Sequence, residues 1–162
     1  AGGDGDDTYV VDSSSDEITE NSSEGTDLIQ TSVDFTLPNN TEHITITGAS
    51  ARTANGNSLA NTLTGNAAAS TLAGGSGDDT YVISNTDNVV NESSSEGTDL
   101  IQASVSFTAA ANVENLTLTG SGNTNATGNG LANTLIGNNG AKKYEMTVST
   151  YQMCILMLFN ER

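Results

Sequence analysis

Residues 1–69 align with residues 73–141 without a gap, and 39 of the 69 pairs are identical. A chain that repeats itself in this way folds by stacking copies of one unit. The offset, which carries position 1 onto position 73, is eight nines, and a nine-residue beat runs inside the unit. It is clearest in three consecutive nonapeptides, GNSLANTLT (56–64), GNAAASTLA (65–73) and GGSGDDTYV (74–82). Their eighth residues are Leu63, Leu72 and Tyr81, and their sixth are Asn61, Ser70 and Asp79. In the first copy the beat passes Tyr9 and Ile18, slips by one residue to Leu28, and is straddled by Phe35 with Leu37 and by Ile44 with Ile46. Apolar residues alternating in short runs between glycine- and asparagine-rich turns read as strands. The chain has no Trp and few aromatic residues, so a thick globular core is hard to build. A solenoid needs only one or two inward residues per rung.

The expected fold is therefore all-β, a parallel β-roll or β-solenoid of two 72-residue repeats with a nine-residue sub-period. Residues 1–72 form the first repeat and 73–141 the second, followed by an atypical tail at 142–162. If two nonapeptides make one coil, residues 18 apart share a side. Asn61 then faces Asp79, Glu20 and Glu24 face the turn at 2–7, and Glu92 and Glu96 face 74–79.

The turns carry the chemistry. Gly2-Gly3-Asp4-Gly5-Asp6-Asp7-Thr8-Tyr9-Val10 returns as Gly74-Gly75-Ser76-Gly77-Asp78-Asp79-Thr80-Tyr81-Val82. Glycines allow positive φ and leave carbonyls free to point inward. The acids add hard oxygen donors to the same corner, the donor type that calcium takes six to eight of. Asp7 and Asp79 are the expected carboxylate ligands, with Asp4, Asp6 and Asp78 orienting the turns or joining the shell. Gly2, Gly3, Gly5, Gly74, Gly75 and Gly77 supply carbonyls, and Glu24, Asn61 and Glu96 face them from neighbouring rungs. Asp12, Asp16 and Glu20 are secondary candidates, equally explained as a solvated acidic face. One or two calcium sites are expected, not a full row, since most nonapeptides lack the acid pattern.

Charge agrees with a cation partner. Residues 1–141 hold eighteen Asp or Glu against Arg52 alone. That field repels nucleic acid and anionic membrane surfaces and attracts metal ions or a basic partner. No run of residues is long and apolar enough for a membrane span. Cys154 is the sole cysteine, so no intrachain disulfide can staple the coil.

Other features are less informative. His43 is the only histidine, its counterpart in the second copy is Asn115, and it reads as an ordinary strand or loop residue. Thr45-Ile46-Thr47 and Thr117-Leu118-Thr119 place outward threonines beside inward apolar residues, a pattern that stabilises strands. The tail departs from the repeat. Residues 142–162 carry three of the four basic residues, every Met and the apolar run Cys154-Ile155-Leu156-Met157-Leu158-Phe159. A cap over the last rung, a truncation or an artefact each accounts for it.

The GGDGDDTYV and GGSGDDTYV motifs, with the Leu-Ala-Asn-Thr-Leu rungs, resemble the RTX (repeats-in-toxin, haemolysin-type calcium-binding) family of bacterial secreted proteins. The 72-residue unit is similar to the long repeats of large RTX exoproteins and adhesins. The resemblance covers residues 1–141. It implies a parallel β-roll with calcium between turns, held by the sixth-position acids, here Asp7 and Asp79, and by the glycine-turn carbonyls. Asn61, Ser70 and Asn133 depart from that pattern. The resemblance also implies export by a type I secretion system, with a C-terminal signal not recognisable in this sequence.

The resulting expectation is a non-enzymatic, calcium-binding structural segment of a secreted bacterial protein, extracellular or at the cell surface, which folds on meeting calcium outside the cell. An adhesin-type module binding glycan, a cell surface or ice is the first alternative. An accessory module of an extracellular enzyme is the second.

Overall fold

A computed structural model describes residues 1–140, and the tail at 142–162 lies outside the described residues. In the first repeat the strands are β1 (Thr8–Val11), β2 (Leu28–Thr31), β3 (Phe35–Thr36), β4 (His43–Ile46), β5 (Thr53–Asn55), β6 (Thr62–Thr64) and β7 (Thr71–Ala73). In the second they are β8 (Thr80–Ile83), β9 (Val89–Asn91), β10 (Leu100–Ala103), β11 (Phe107–Thr108), β12 (Asn115–Leu118), β13 (Ala126–Thr127) and β14 (Thr134–Ile136). The described residues contain no helix, and thus none long and apolar enough to cross a membrane. The fold is the expected parallel β-solenoid. Its front sheet runs β1-β2-β4-β6-β8-β10-β12-β14, so about seven full turns separate its first and last strands. The back face is formed by β3-β5-β7-β9 and by β11-β13.

The coils are not of one length, as two nonapeptides per coil would require. Thr8 pairs with Leu28, Leu28 with His43, His43 with Thr62 and Thr62 with Thr80, so successive steps along the chain are 20, 15, 19 and 18. The steps of 20, 15 and 19 recur in the second repeat. Four unequal coils thus make one 72-residue unit. The nine-residue beat is strict only where Thr53, Thr62, Thr71, Thr80 and Val89 open successive strands. Corners absorb the difference, because a loop tolerates insertion and a strand register does not. The corner 92–99 is two residues longer than the corner 74–79, and the turn 104–106 is shorter than 84–88.

The core is thin, with two inward rows on the front sheet, the second made by Val11, Thr31, Ile46, Ile83, Ala103 and Leu118. Tyr9, Ile29, Ile44, Leu63, Tyr81, Ile101, Leu116 and Leu135 stack in register along the front sheet. All of them except Tyr9, in the first strand, are buried. Leu37, Ala54, Leu72, Val90 and Ala109 are buried from the back, and Val113 from the corner before β12. Each fully buried aliphatic residue contributes about 1.5–3 kcal/mol relative to exposure.

Candidate metal centre

The residue just before each front strand is polar without exception: Asp7, Asp27, Glu42, Asn61, Asp79, Asp99, Glu114 and Asn133. Parallel stacking lines them up at one edge of the front sheet. There a carboxylate oxygen accepts the N–H of its counterpart in the preceding coil. Asp7 N–H donates to Asp27 Oδ1 at 2.9 Å and Asp27 N–H to Glu42 Oε2 at 2.9 Å. In the middle of the molecule Asn61 N–H donates to Asp79 Oδ1 at 2.7 Å. Asp79 N–H donates to Asp99 Oδ1, and Asp99 N–H to Glu114 Oε2, both at 2.9 Å.

This ladder employs one oxygen of each acid and leaves the other. Asp79 Oδ2, Asp99 Oδ2 and Glu92 Oε1 are buried without a hydrogen-bond partner. Asp79, Glu92 and Asp99 each bring a carboxylate oxygen to within 4.8 Å of the others. Asp79 and Asp99 are each only 1% exposed. Orphaned buried carboxylate oxygens are costly. Three acids carrying such oxygens, brought together in one cluster, fit a hard cation, and the donor set is oxygen only.

The surroundings hold the three acids in place. Gly74 N–H donates to Tyr81 Oη at 2.7 Å, and the Tyr81 hydroxyl donates in turn to Glu92 Oε2. Asn112, in the left-handed region at φ 65°, donates its amide to the Glu92 carbonyl at 2.9 Å. Burial pushes the Asp79 carboxyl up to about 7, against the pull of the Asn61 N–H, and the charges of Asp99, Asp78 and Glu96 add to the rise. Burial also raises Glu92 to about 7, against the Tyr81 hydroxyl, with Asp99 and Asp79 adding. Asp99 is raised by burial and by Glu114, Asp78 and Glu96. Tyr81 is raised by burial first and then by its carboxylate acceptor.

The first repeat builds the same corner with less enclosure. Asp7 Oδ2, Glu20 Oε2 and Tyr9 Oη are buried and unpartnered there. Glu20 itself accepts the Gly2 N–H at 2.9 Å. Asp7 is half-buried where Asp79 is buried, because no described coil precedes β1.

The glycines divide into two kinds. Gly3 and Gly75, like Gly5 and Gly77, have positive φ between 86° and 119°. Gly2 and Gly74 do not, yet a Cβ on either would land on the carboxylate of Asp7 or Asp79. They are required for close approach.

The other sequence-predicted residues sit around the cluster. Asp6 and Asp78 span neighbouring corners, accepting the Thr26 and Thr98 N–H groups at 2.8 Å. Asp4 is exposed. The Glu24 and Glu96 carbonyls accept the Gly5 and Gly77 N–H groups. Their carboxylates turn back to their own loops, Glu24 to Asn21 and Glu96 to the Ser93 N–H. The Asn21 amide and N–H hold Glu24 below the usual carboxylate range. Asn61 is buried, with Oδ1 accepting the Asn57 N–H and Nδ2 donating to the Thr41 and Glu42 carbonyls. Asp16 accepts the Asp12 and Ser13 N–H groups in its own turn. His43 lies in β4.

Of the converging acids, sequence reasoning named Asp79 as a ligand and placed Glu92 opposite the glycine turn. It missed Asp99, and Asp27 in the first repeat. The signal was present, since Asp99-Leu100-Ile101 repeats the acid-then-strand order of Asp79-Thr80-Tyr81. A uniform coil of two nonapeptides hid it, because the coil from Asp79 to Asp99 is longer than that.

No protein-family model, curated protein or solved structure matches the chain.

Proposed function

We propose that the chain is a calcium-stabilised structural β-solenoid module of a secreted bacterial protein of the RTX kind. Its role is to form a stiff segment that presents or anchors other parts. The observation that carries this reading is the cluster of Asp79, Glu92 and Asp99, each with a buried oxygen that has no hydrogen-bond partner among the described residues. Calcium suits the site better than a transition metal, because no nitrogen or sulfur donor stands in the cluster. A flexible shell of carboxylates and turn carbonyls suits calcium better than the strict octahedron of magnesium.

The mechanism is folding by charge neutralisation. Eighteen acids face one cation over residues 1–141, and the coil stacks six of them, Asp7, Asp27, Glu42, Asp79, Asp99 and Glu114, at one edge. Without a cation the stacked form is opposed by like-charge repulsion. With calcium the corners are cross-linked, and binding free energy becomes folding free energy. A chain loosely folded at low cytosolic calcium and ordered outside the cell would suit passage through a narrow exporter.

Circular dichroism with chelator and with millimolar calcium tests the reading. The β signal is expected to grow and the melting temperature to rise with calcium. Identical spectra and melting in both buffers would refute it.

A further inference from the structure

The coil from Leu28 to His43 is the shortest of its repeat, 15 residues between neighbours of 20 and 19. Over it the back face carries an open groove of about 600 Å³. The short coil makes the floor through Phe35, Thr36 and Pro38, and residues 14–19 of the coil before it make one wall. Ile18, Phe35 and Pro38 give the groove a half-buried apolar lining. In the floor, β3 pairs with β5 alone. The Leu37 N–H turns to the Asn55 carbonyl, so the Thr36 N–H and C=O face the other way, toward residues 14–19. This break in the back sheet follows coil length and not an end of the chain. It recurs in the interior between β9 and β11, which do not pair, where a coil of 15 again follows one of 20.

Three exposed carboxylates line the groove, Asp16 and Glu17 on the wall and Asp34 beside the floor. At the matching positions of the second repeat stand Asn88, Val89 and Ser106. The scaffold keeps its contacts there without the charge. Asp34 Oδ1 accepts the Thr53 N–H at 2.8 Å, and Ser106 Oγ accepts the Asn125 N–H at 3.0 Å in the same place. The same coil path thus forms with and without these three charges, which leaves them free for a partner. Arg52, the one Lys or Arg of residues 1–140, donates its Nε to the Ser32 carbonyl at 2.8 Å.

We propose that this groove docks a short extended peptide of a basic partner protein. Its Lys or Arg side chains sit on Asp16, Glu17 and Asp34, and its apolar side chains on Ile18, Phe35 and Pro38. Successive side chains of an extended strand point to opposite faces, so a peptide alternating basic and apolar residues offers charge to the rim and apolar surface to the floor. Its backbone meets the Thr36 N–H and C=O as an added strand meets a sheet edge. The net charge of −16 draws a basic chain in and turns an acidic one away. This docking does not depend on the calcium reading.

The test uses the whole chain in millimolar calcium and low salt, with a fluorescein-labelled octapeptide of alternating lysine and valine as the probe. Fluorescence anisotropy is expected to show one peptide bound per chain, more weakly as salt rises. Asp16→Asn, Glu17→Val and Asp34→Ser together install the second repeat's residues. This variant is expected to lose on the order of tenfold in affinity, as three exposed ion pairs would give, with an unchanged circular dichroism spectrum. Val89→Glu with Ser106→Asp, at exposed positions of the second repeat, is expected to add a second bound peptide, and it reads the groove even if the first variant fails to fold. Equal binding by wild type and the first variant would overturn the proposal, as would a graft that adds no site or several peptides bound per wild-type chain. So would equal affinity for an octapeptide of alternating lysine and serine, or for spermine, since neither uses the apolar floor.

Discussion

Replacing Asp99 with Asn separates the two tasks of one carboxylate. Its Oδ1 accepts the Asp79 N–H at 2.9 Å, which an amide oxygen can also do. Its Oδ2 has no partner, and the residue belongs to the cluster with Asp79 and Glu92. The converging oxygens lie within 4.8 Å of one another, and two unit charges at that distance repel by about 3 kcal/mol at an effective dielectric of about 20. Partial protonation relieves some of this, because burial holds Asp79 and Glu92 at about 7. Asp99→Asn is therefore expected to stabilise the calcium-free coil by on the order of 1–3 kcal/mol at about pH 8. For a solenoid of this size that is roughly 3–10 °C in melting temperature. In calcium the sign reverses. Losing one anionic ligand weakens the attraction by a similar amount, roughly a hundredfold in affinity. Paired thermal melts in chelator and in millimolar calcium, with a calcium titration of each protein, read both effects. Equal destabilisation in the two buffers would mean that Asp99 merely holds the backbone, and the reasoning would fail.

Gly74→Ala is expected to cost about 1–3 kcal/mol by overpacking and to weaken calcium binding, because its Cβ meets the Asp79 carboxylate. Gly3→Asn, at φ 91° with open space around it, is expected to be far milder; chemical denaturation ranks the two. Tyr81→Phe removes the hydroxyl that holds Glu92 and accepts the Gly74 N–H, so calcium affinity is expected to fall with little change in β content; calorimetric titration with the fold checked by circular dichroism decides it. Asn61→Ala strips a donor from the Thr41 and Glu42 carbonyls and is expected to cost about 1–3 kcal/mol with or without calcium, which urea midpoints in both buffers would show. The pH dependence has a definite sign. Asp79, Glu92 and Asp99 hold protons more tightly folded than unfolded, so calcium-free stability is expected to fall as pH rises from about 4 through about 7. A urea midpoint in chelator that instead climbs across that range would contradict the burial of these acids.

Much of the architecture was legible because a repeat constrains a fold more tightly than local propensity does. The gapless offset announced stacked units, and alternation around Ile44 and Ile46 announced strands with those residues inward. Coil length was not legible from the offset alone, since four unequal coils make the same total as four equal ones. Hydrophobic spacing reports strands, but only pairing reports how much loop lies between them. That ambiguity concealed Asp99 and left Glu24 and Glu96 expected as carboxylate ligands, where they contribute carbonyls to the corner stacking. The role of Tyr81 was half visible. Its ring was expected in the core, but its hydroxyl matters through Gly74 and Glu92, which sequence places seven and eleven residues away.

Whether a divalent cation joins the stacked glycine corners is read most directly from a crystal of the whole chain, grown with calcium and then soaked in terbium. In its anomalous difference map a strong peak bounded by Asp79, Glu92 and Asp99 is the expected result. Stacked corners with no peak between those carboxylates would contradict it.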